Sequence, residues 1–357
     1  MSAPAPGSAR PRDPYTVVGG GAIGGTLAFH LARAGHPVEI VDADAAHVAA
    51  IRERGLTLTG PDGERTVRVD ATTPDEAEGA PRRVLLCVKA GATEAAASWL
   101  AGRLAPDGYV VSLQNGLNES LIAELAGADR TVGAFVNLFA DVVAPGAVRD
   151  GGGGALVVGE LDGRPSERVR RLVADLQAWG PARETGNVHG YLWAKLAFGA
   201  MLTATALVDA PMAGLIDGHR PLMHALAAEV EGVATAAGLV LEPFDAFTPA
   251  AYLPGADPAE RERATDRLVG WLGGQSKDRS GIWRDIAVRH RPVEVHHHYR
   301  PVLRRATELG VPAPLLPELL GMLAEVESGA RPMDPRNLTD LAHLTDLNAP
   351  IPREGFR

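Results

Sequence analysis

The sequence predicts an α/β protein, with an N-terminal parallel sheet wound by crossover helices and an all-helical domain after it. Two observations carry this. From Tyr15, short β-rich runs ("YTVVG", "PVEIVD", "RRVLLCVK", "YVVSLQ") alternate with stretches of helical type, the pattern of parallel strands joined by helices. From residue 188 to about 328 the strand signal vanishes, and the chain becomes Ala/Leu-rich with helical periodicity.

The elements follow in order. "MSAPAPGSARPRDP" has no apolar core of the kind a secretory signal needs and reads as a disordered extension over residues 1–13. The sheet domain is expected over 14–187. Its first strand, "YTVVG", leads into a helix, "IGGTLAFHLARAG", and then into "PVEIVD". Between Thr131 and Gly159, "TVGAFVNLFADVV" and "ALVVGEL" flank a Pro/Gly-rich turn region and read as further strands of the same sheet. A helix, "SERVRRLVADLQAW", and a short "ARETG" close this half near Asn187. The helical domain, 188–330, is broken at "LEPFDAFTPAAYLPGADP" and "GGQSKDRSG". The tail, 331–357, contains one short helix, "NLTDLAHL".

Composition narrows the class. At 357 residues the chain can bury two cores, and its net charge of -9, with no long basic run, argues against nucleic-acid or anionic-membrane partners. A single cysteine, Cys87, excludes an internal disulfide framework and fits a reducing cytoplasm. No apolar run is both long and uncharged enough to span a bilayer.

"VVGGGAIGG" is the strongest local signal. Gly19, Gly21 and Gly24 fit G-x-G-x-x-G between a first strand and a first helix, the Rossmann-type arrangement. Gly19 permits the tight turn, Gly21 lets the backbone approach a pyrophosphate, and Gly24 lets helix and strand pack closely. Ala22 and Ile23 open the helix whose free N–H groups face the anion. Asp42 ends the second strand, where a carboxylate meets a ribose 2′-hydroxyl and repels a 2′-phosphate. The competing reading makes Asp42 and Asp44 turn or N-cap residues; Arg52 and Arg54 lie a helix away. Lys89 ("CVKAG") and Asn115 ("LQNGL") stand at two further strand ends, where ligands of open α/β sheets bind, although Asn115-Gly116 is equally a turn signal. Lys195 sits inside the nearly uninterrupted apolar run "GYLWAKLAFGAMLTATAL", a place either for a buried functional amine or for a lysine reaching past the helix to water.

With these residues in view, the chain resembles the ketopantoate reductase (2-dehydropantoate 2-reductase) family, as a divergent member. The glycine motif, "CVKA", "LQNGL", "LWAKL" and "GIWRDIAVRHRPVEV" carry the resemblance from Tyr15 to Pro332. It implies a Rossmann domain and a C-terminal helical domain of the 6-phosphogluconate dehydrogenase C-terminal-like kind, with the active site in the cleft between them. It implies reduction of a 2-oxo acid or ketone by NADPH, and is compatible with a homodimer. NADP(H) is thus favoured by resemblance, and NAD(H) by Asp42. Lys195 matches the catalytic lysine and Glu294 the active-site glutamate; Lys89 and Asn115 match residues lining the nicotinamide and substrate side.

The departures concern the substrate. Gly199 and Thr203, on the face of Lys195, stand where the family has asparagines. Gly281 stands where a serine holds the substrate carboxylate, beside Ser280; Arg284 or Arg289 would be the substitute contact. His296, His297 and His298 replace an acidic, asparagine-containing run. On a helix they diverge by about 100° each, so they do not converge on a metal, and His296 or His297 is expected as a pocket wall. Pro292 is expected to start that helix. In this reading Lys195 is the general acid for the nascent alkoxide and Glu294 supports its charge. Gly199 and Gly281 leave room for a substrate bulkier than ketopantoate. Two other readings stand beside it: an imine- or opine-forming reductase, and a non-catalytic NADP-sensing protein.

Overall fold

The computed structural model describes residues 13–60, 63–152, 154–275 and 277–347. The expected extension lies outside them except for Asp13, as does the tail beyond Leu347. The chain divides into two compact units. One comprises the chain through Gln114 and Asn118–Gly186; the other comprises Asn115–Leu117 and everything from Asn187.

The first unit runs β1 (Tyr15–Val18), α1 (Ala22–Arg33), β2 (Val38–Val41), α2 (Ala45–Arg54), β3 (Leu56–Gly60), β4 (Gly63–Val67) and β5 (Asp70–Thr72). It continues through β6 (Arg83–Leu86), α3 (Thr93–Ala101), β7 (Tyr109–Ser112), α4 (Glu119–Ala126) and β8 (Thr131–Val136). Last come β9 (Ala140–Ala144), β10 (Ala147–Asp150), β11 (Leu156–Glu160), α5 (Glu167–Leu176) and β12 (Ala182–Glu184). The main sheet has the order β12-β11-β8-β7-β6-β1-β2-β5. From β8 to β5 every pairing is parallel, with Val17 opposite both Ile40 and Leu85; β11 runs antiparallel to β8. β1, β7 and β8 are buried at every position, as strands covered on both faces must be.

One expectation needs correction. β8 and β11 do join the main sheet, but β9 and β10 form a second sheet of order β4-β3-β10-β9. Val148 of β10 is fully buried, and a Cβ on Gly25 of α1 would come within 2.9 Å of it. Val148 is therefore covered by α1, while Val142 and Val143 of β9 stay exposed. Its partner β3 lies some ninety positions away, so no local pattern announces the pairing, and β3, β4 and β5 themselves escape the sequence reading.

The second unit is helical: α6 (Val188–Thr205), α7 (Met212–Gly218), α8 (Arg220–Ala236), α9 (Pro258–Gly273), α10 (Gly281–Ala287), α11 (Val295–Leu309), α12 (Leu315–Ser328) and α13 (Arg336–Leu347). Among the described residues no helix is long and apolar enough to cross a membrane. α6 is buried almost all round. After the first turn its partly open residues are Lys195, Gly199 and Leu202, one stripe at i, i+4 and i+7. Asn187 caps α6 by accepting from Gly190 N at 3.1 Å. Helix α11 begins at Val295 and not at Pro292, with Glu294 as its N-cap. His290 takes a left-handed φ of 49°, and Val293 N donates to Glu327 Oε1 at 3.0 Å, so the segment between is held out of the helix.

Candidate active site

The glycine loop is built by close approach. Gly19 has φ 95°, and a Cβ there would lie 2.8 Å from Val88 N, in the loop after β6. A Cβ on Gly24 would run into Gly19 O. At Gly21 nothing lies within 4 Å of a Cβ, and α1 begins there with no side chain capping it. Gly21, Ala22 and Ile23 are half-open, and the first-turn N–H groups of such an uncapped helix start are suited to an anion.

Asp42 is tied to this loop. Its Oδ2 accepts from Gly20 N at 2.6 Å and its Oδ1 from Asp44 N at 2.8 Å. Asp44 is the N-cap of α2, accepting from Ala46 N and His47 N. The loop has a second brace that the sequence did not reveal. His47 Nδ1 accepts from Gly146 N at 3.1 Å, so Nε2 carries the proton and donates to Gly20 O at 3.0 Å. Nothing in the sequence signals that the second sheet delivers Gly146 to this ring. Arg52 is engaged with Ala71 O and Glu76, each at 2.6 Å, and Arg54 with Glu53 at 2.8 Å.

Because β1, β6 and β7 are parallel neighbours, the loops after them leave the same edge of the sheet. Lys89 is exposed and precedes a short 3₁₀ turn. Gln114, also overlooked in the sequence although it lies in "LQNGL", is buried and donates to Val88 O at 2.8 Å and Thr93 Oγ1 at 2.7 Å, joining the loops after β6 and β7.

Within the second unit, Lys195 Nζ donates to Asn115 Oδ1 at 2.7 Å. Burial pushes the Lys195 ammonium down to about 8, and the carboxylate of Asp245 opposes that fall. Asp245 had no place in the sequence reading; its one local signal is the short polar gap in "PFDAF". Gly116 completes the Asn115 turn with φ 91°, and a Cβ on it would lie 3.0 Å from the His298 ring. Burial, with Lys195 nearby, holds His298 down at about 4. Its Nε2 is buried without a hydrogen-bond partner. His298 thus stands near the lysine, while His296 is half-buried and His297 exposed on the same helix. Glu294 is half-buried at the head of α11.

The expected substrate contacts fare differently. A Cβ on Gly199 would come within 2.9 Å of the hydroxyl of Tyr299, which donates to Leu196 O at 2.8 Å. The space beside Gly199 is therefore filled by a buried tyrosine, correcting the expectation of room there. Thr203 is buried and turns back to donate to Gly199 O at 2.8 Å. Ser280 caps α10, accepting from Trp283 N at 3.2 Å. Gly281 is exposed, with nothing within 4 Å of a Cβ. Arg289 pairs with Asp285 at 2.8 Å, and Arg284 is half-buried on α10. No group of three or more His, Cys, Asp or Glu that could hold a metal occurs among the described residues.

Comparison with known proteins adds two family matches: "Ketopantoate reductase PanE/ApbA" over residues 15–163 and "Ketopantoate reductase PanE/ApbA C terminal" over residues 187–327. A 2-dehydropantoate 2-reductase of Halobacterium salinarum is 30% identical over 236 residues, covering 63% of this chain and 78% of that protein. One of Mesorhizobium japonicum is 30% identical over 252 residues, covering 63% and 76%. Among solved structures, a PanE/ApbA family ketopantoate reductase from Ralstonia eutropha JMP134 superposes with a TM-score of 0.74 at 28% identity, covering 88% of this chain and 99% of that one. D-mandelate dehydrogenase, solved with NADH and anilino(oxo)acetate, superposes with a TM-score of 0.75 at 21% identity, with 88% and 99% coverage.

Proposed function

The chain belongs to the ketopantoate reductase family, and on that premise we propose that it reduces the ketone of a 2-oxo acid, with Lys195 donating the proton. The observation that carries the reading is the partly buried ammonium of Lys195, held by Asn115 and lowered to about 8, within reach of a neutral working pH.

The glycine loop suits a dinucleotide. Gly19, Gly21, Ala22, Ile23 and Gly24 would hold its pyrophosphate, Asp42 its adenosine ribose, and Lys89 and Asn115 the nicotinamide side. When bound, the reduced nicotinamide supplies the hydride. The chain's own contribution is the proton. Negative charge growing on the ketone oxygen draws toward the Lys195 ammonium, whose direction Asn115 Oδ1 sets, and Nζ releases its proton to that oxygen. Glu294 is assigned the supporting role the family resemblance gives it.

Two finer points follow. The cofactor is read as NADH: Asp42 repels a 2′-phosphate, and Arg52 and Arg54 already have acidic partners. The substrate is read as a 2-oxo acid bulkier than ketopantoate, on the strength of the open Gly281 side and not of Gly199. Cofactor oxidation across a 2-oxo acid panel, with NADH and NADPH in parallel, tests all three claims. Ketopantoate outrunning every larger acid in kcat/KM sinks the size reading. Binding without oxidation on any acid sinks the reaction and leaves a nucleotide sensor.

A further inference from the structure

Asp245 stands at the tip of a tight turn fastened to α6 on both sides of Lys195. On the N-terminal side, Asn187 Nδ2 donates to Val240 O and to Glu242 Oε1, each at 2.8 Å, and Glu242 N donates to Gly190 O at 3.2 Å. Gly190 has no side chain because Val240 O presses against it. On the C-terminal side, Phe244 and Phe247 pair by backbone hydrogen bonds of 3.1 and 2.8 Å. Both rings are buried against Phe198, with centroids 6.1 and 5.4 Å away. Gly190 lies five residues before Lys195, and Phe198 lies three after it, on the same face.

Between the two anchored phenylalanines, Asp245 adopts φ 45°, one of two non-glycine residues among those described with a positive φ. That conformation is uncommon for an L residue and persists only where the surroundings enforce it. Here the enforcing contacts are hydrophobic, and the residue they display is an exposed carboxylate. Its field acts on Lys195, against the effect of burial.

We propose that Asp245 is a positioning residue for the reaction, its carboxylate displayed by the Phe244–Phe247 turn so that Lys195 keeps its proton until the substrate oxygen takes it. This rests on Lys195 being the acid. Of the titratable groups on the helices packed against α6, Glu294 keeps the supporting role already assigned to it, and the others are neutral or engaged elsewhere. His298 of α11 is uncharged where Lys195 titrates. Glu294 heads α11. On α8, Glu229 accepts from Leu315 N and Leu316 N, and Glu231 interacts with Arg261. On α10, Asp285 is held by Arg289 and Arg291.

The test is the Lys195 titration, followed by NMR in protein labelled at lysine. The chain has three lysines, Lys89, Lys195 and Lys277, so the signal is assignable by its loss in Lys195→Ala. Asn tolerates a left-handed φ, so Asp245→Asn removes the charge and keeps the turn. The midpoint is expected to fall by roughly half to one unit, modest because the carboxylate is exposed and screened. The alkaline limb of the kcat/KM profile should move down with it. Asp245→Gly, which also accepts the turn, should reproduce the shift and carries the test if the asparagine variant misfolds. An unmoved midpoint in the folded variants overturns the proposal. Failure of the functional reading would look different: the wild type would oxidise no cofactor with any 2-oxo acid, while the midpoint would still report on Asp245.

Discussion

The Tyr299 hydroxyl sits 2.9 Å from the place a Cβ on Gly199 would take, and donates to Leu196 O one turn earlier on α6. A glycine beside the lysine is therefore a packing requirement of a tyrosine on α11. Gly199→Ala should destabilise the protein by about 1–3 kcal/mol through this overlap. Tyr299→Phe should cost about 0.5–1.5 kcal/mol for the lost hydrogen bond. The double variant should be more stable than the sum of the two, because the phenylalanine removes the atom the new methyl meets. Denaturant midpoints of the four proteins measure this, and strict additivity would contradict the contact.

Lys195→Ala should lower kcat for ketone reduction by about 10²–10⁴-fold, with dinucleotide binding retained. In the proposed mechanism the protonated form is the acid. With the amine lowered to about 8, its fraction falls as pH rises through 8, so reduction should slow above that pH. Oxidation of the corresponding hydroxy acid, which needs the free amine, should gain over the same range. Steady-state rates in both directions across pH check the sign.

Asp42→Asn keeps an oxygen for Gly20 N and removes the negative charge. The wild type should prefer NADH over NADPH in kcat/KM. The variant should lose about tenfold or more of that preference, chiefly by accepting NADPH better. Equal preference in both proteins would show that Asp42 does not read the ribose.

Glu231, on α8, is fully buried with neither carboxyl oxygen hydrogen-bonded, and burial pushes it up to about 9. The folded state then keeps a proton that the unfolded chain releases above its ordinary carboxyl range. Stability should fall as pH rises from about 5 toward 9, by at most about 1.4 kcal/mol per pH unit from this group. Glu231→Gln should flatten that slope, so its advantage over the wild type should grow with pH in thermal melts.

Much of the fold was legible because its signals are local. The glycine motif between "YTVVG" and "IGGTLAFHLARAG" specifies a strand, a turn and a helix within a few residues, and α6 announces itself by an apolar run interrupted at Lys195. The second sheet was not legible. β3 meets β10 across a long stretch of chain, and the cover that decides where Val148 goes is α1. The candidate site divides the same way. Lys195 and Asn115 stand out by residue type in an unexpected setting, whereas His47, Gln114, Asp245 and Tyr299 look ordinary in the sequence and owe their positions to partners far along the chain.

Alone, the sequence determined the opening strand–glycine turn–helix unit, the alternation of the main sheet's central strands with helices, and the helical second half, since each depends on periodicity or on backbone freedom at neighbouring residues. The tertiary structure alone decided which charge faces that lysine, which histidine stands beside it and whether Gly199 leaves space. Those are matters of distance and burial, and residues remote in sequence supply both.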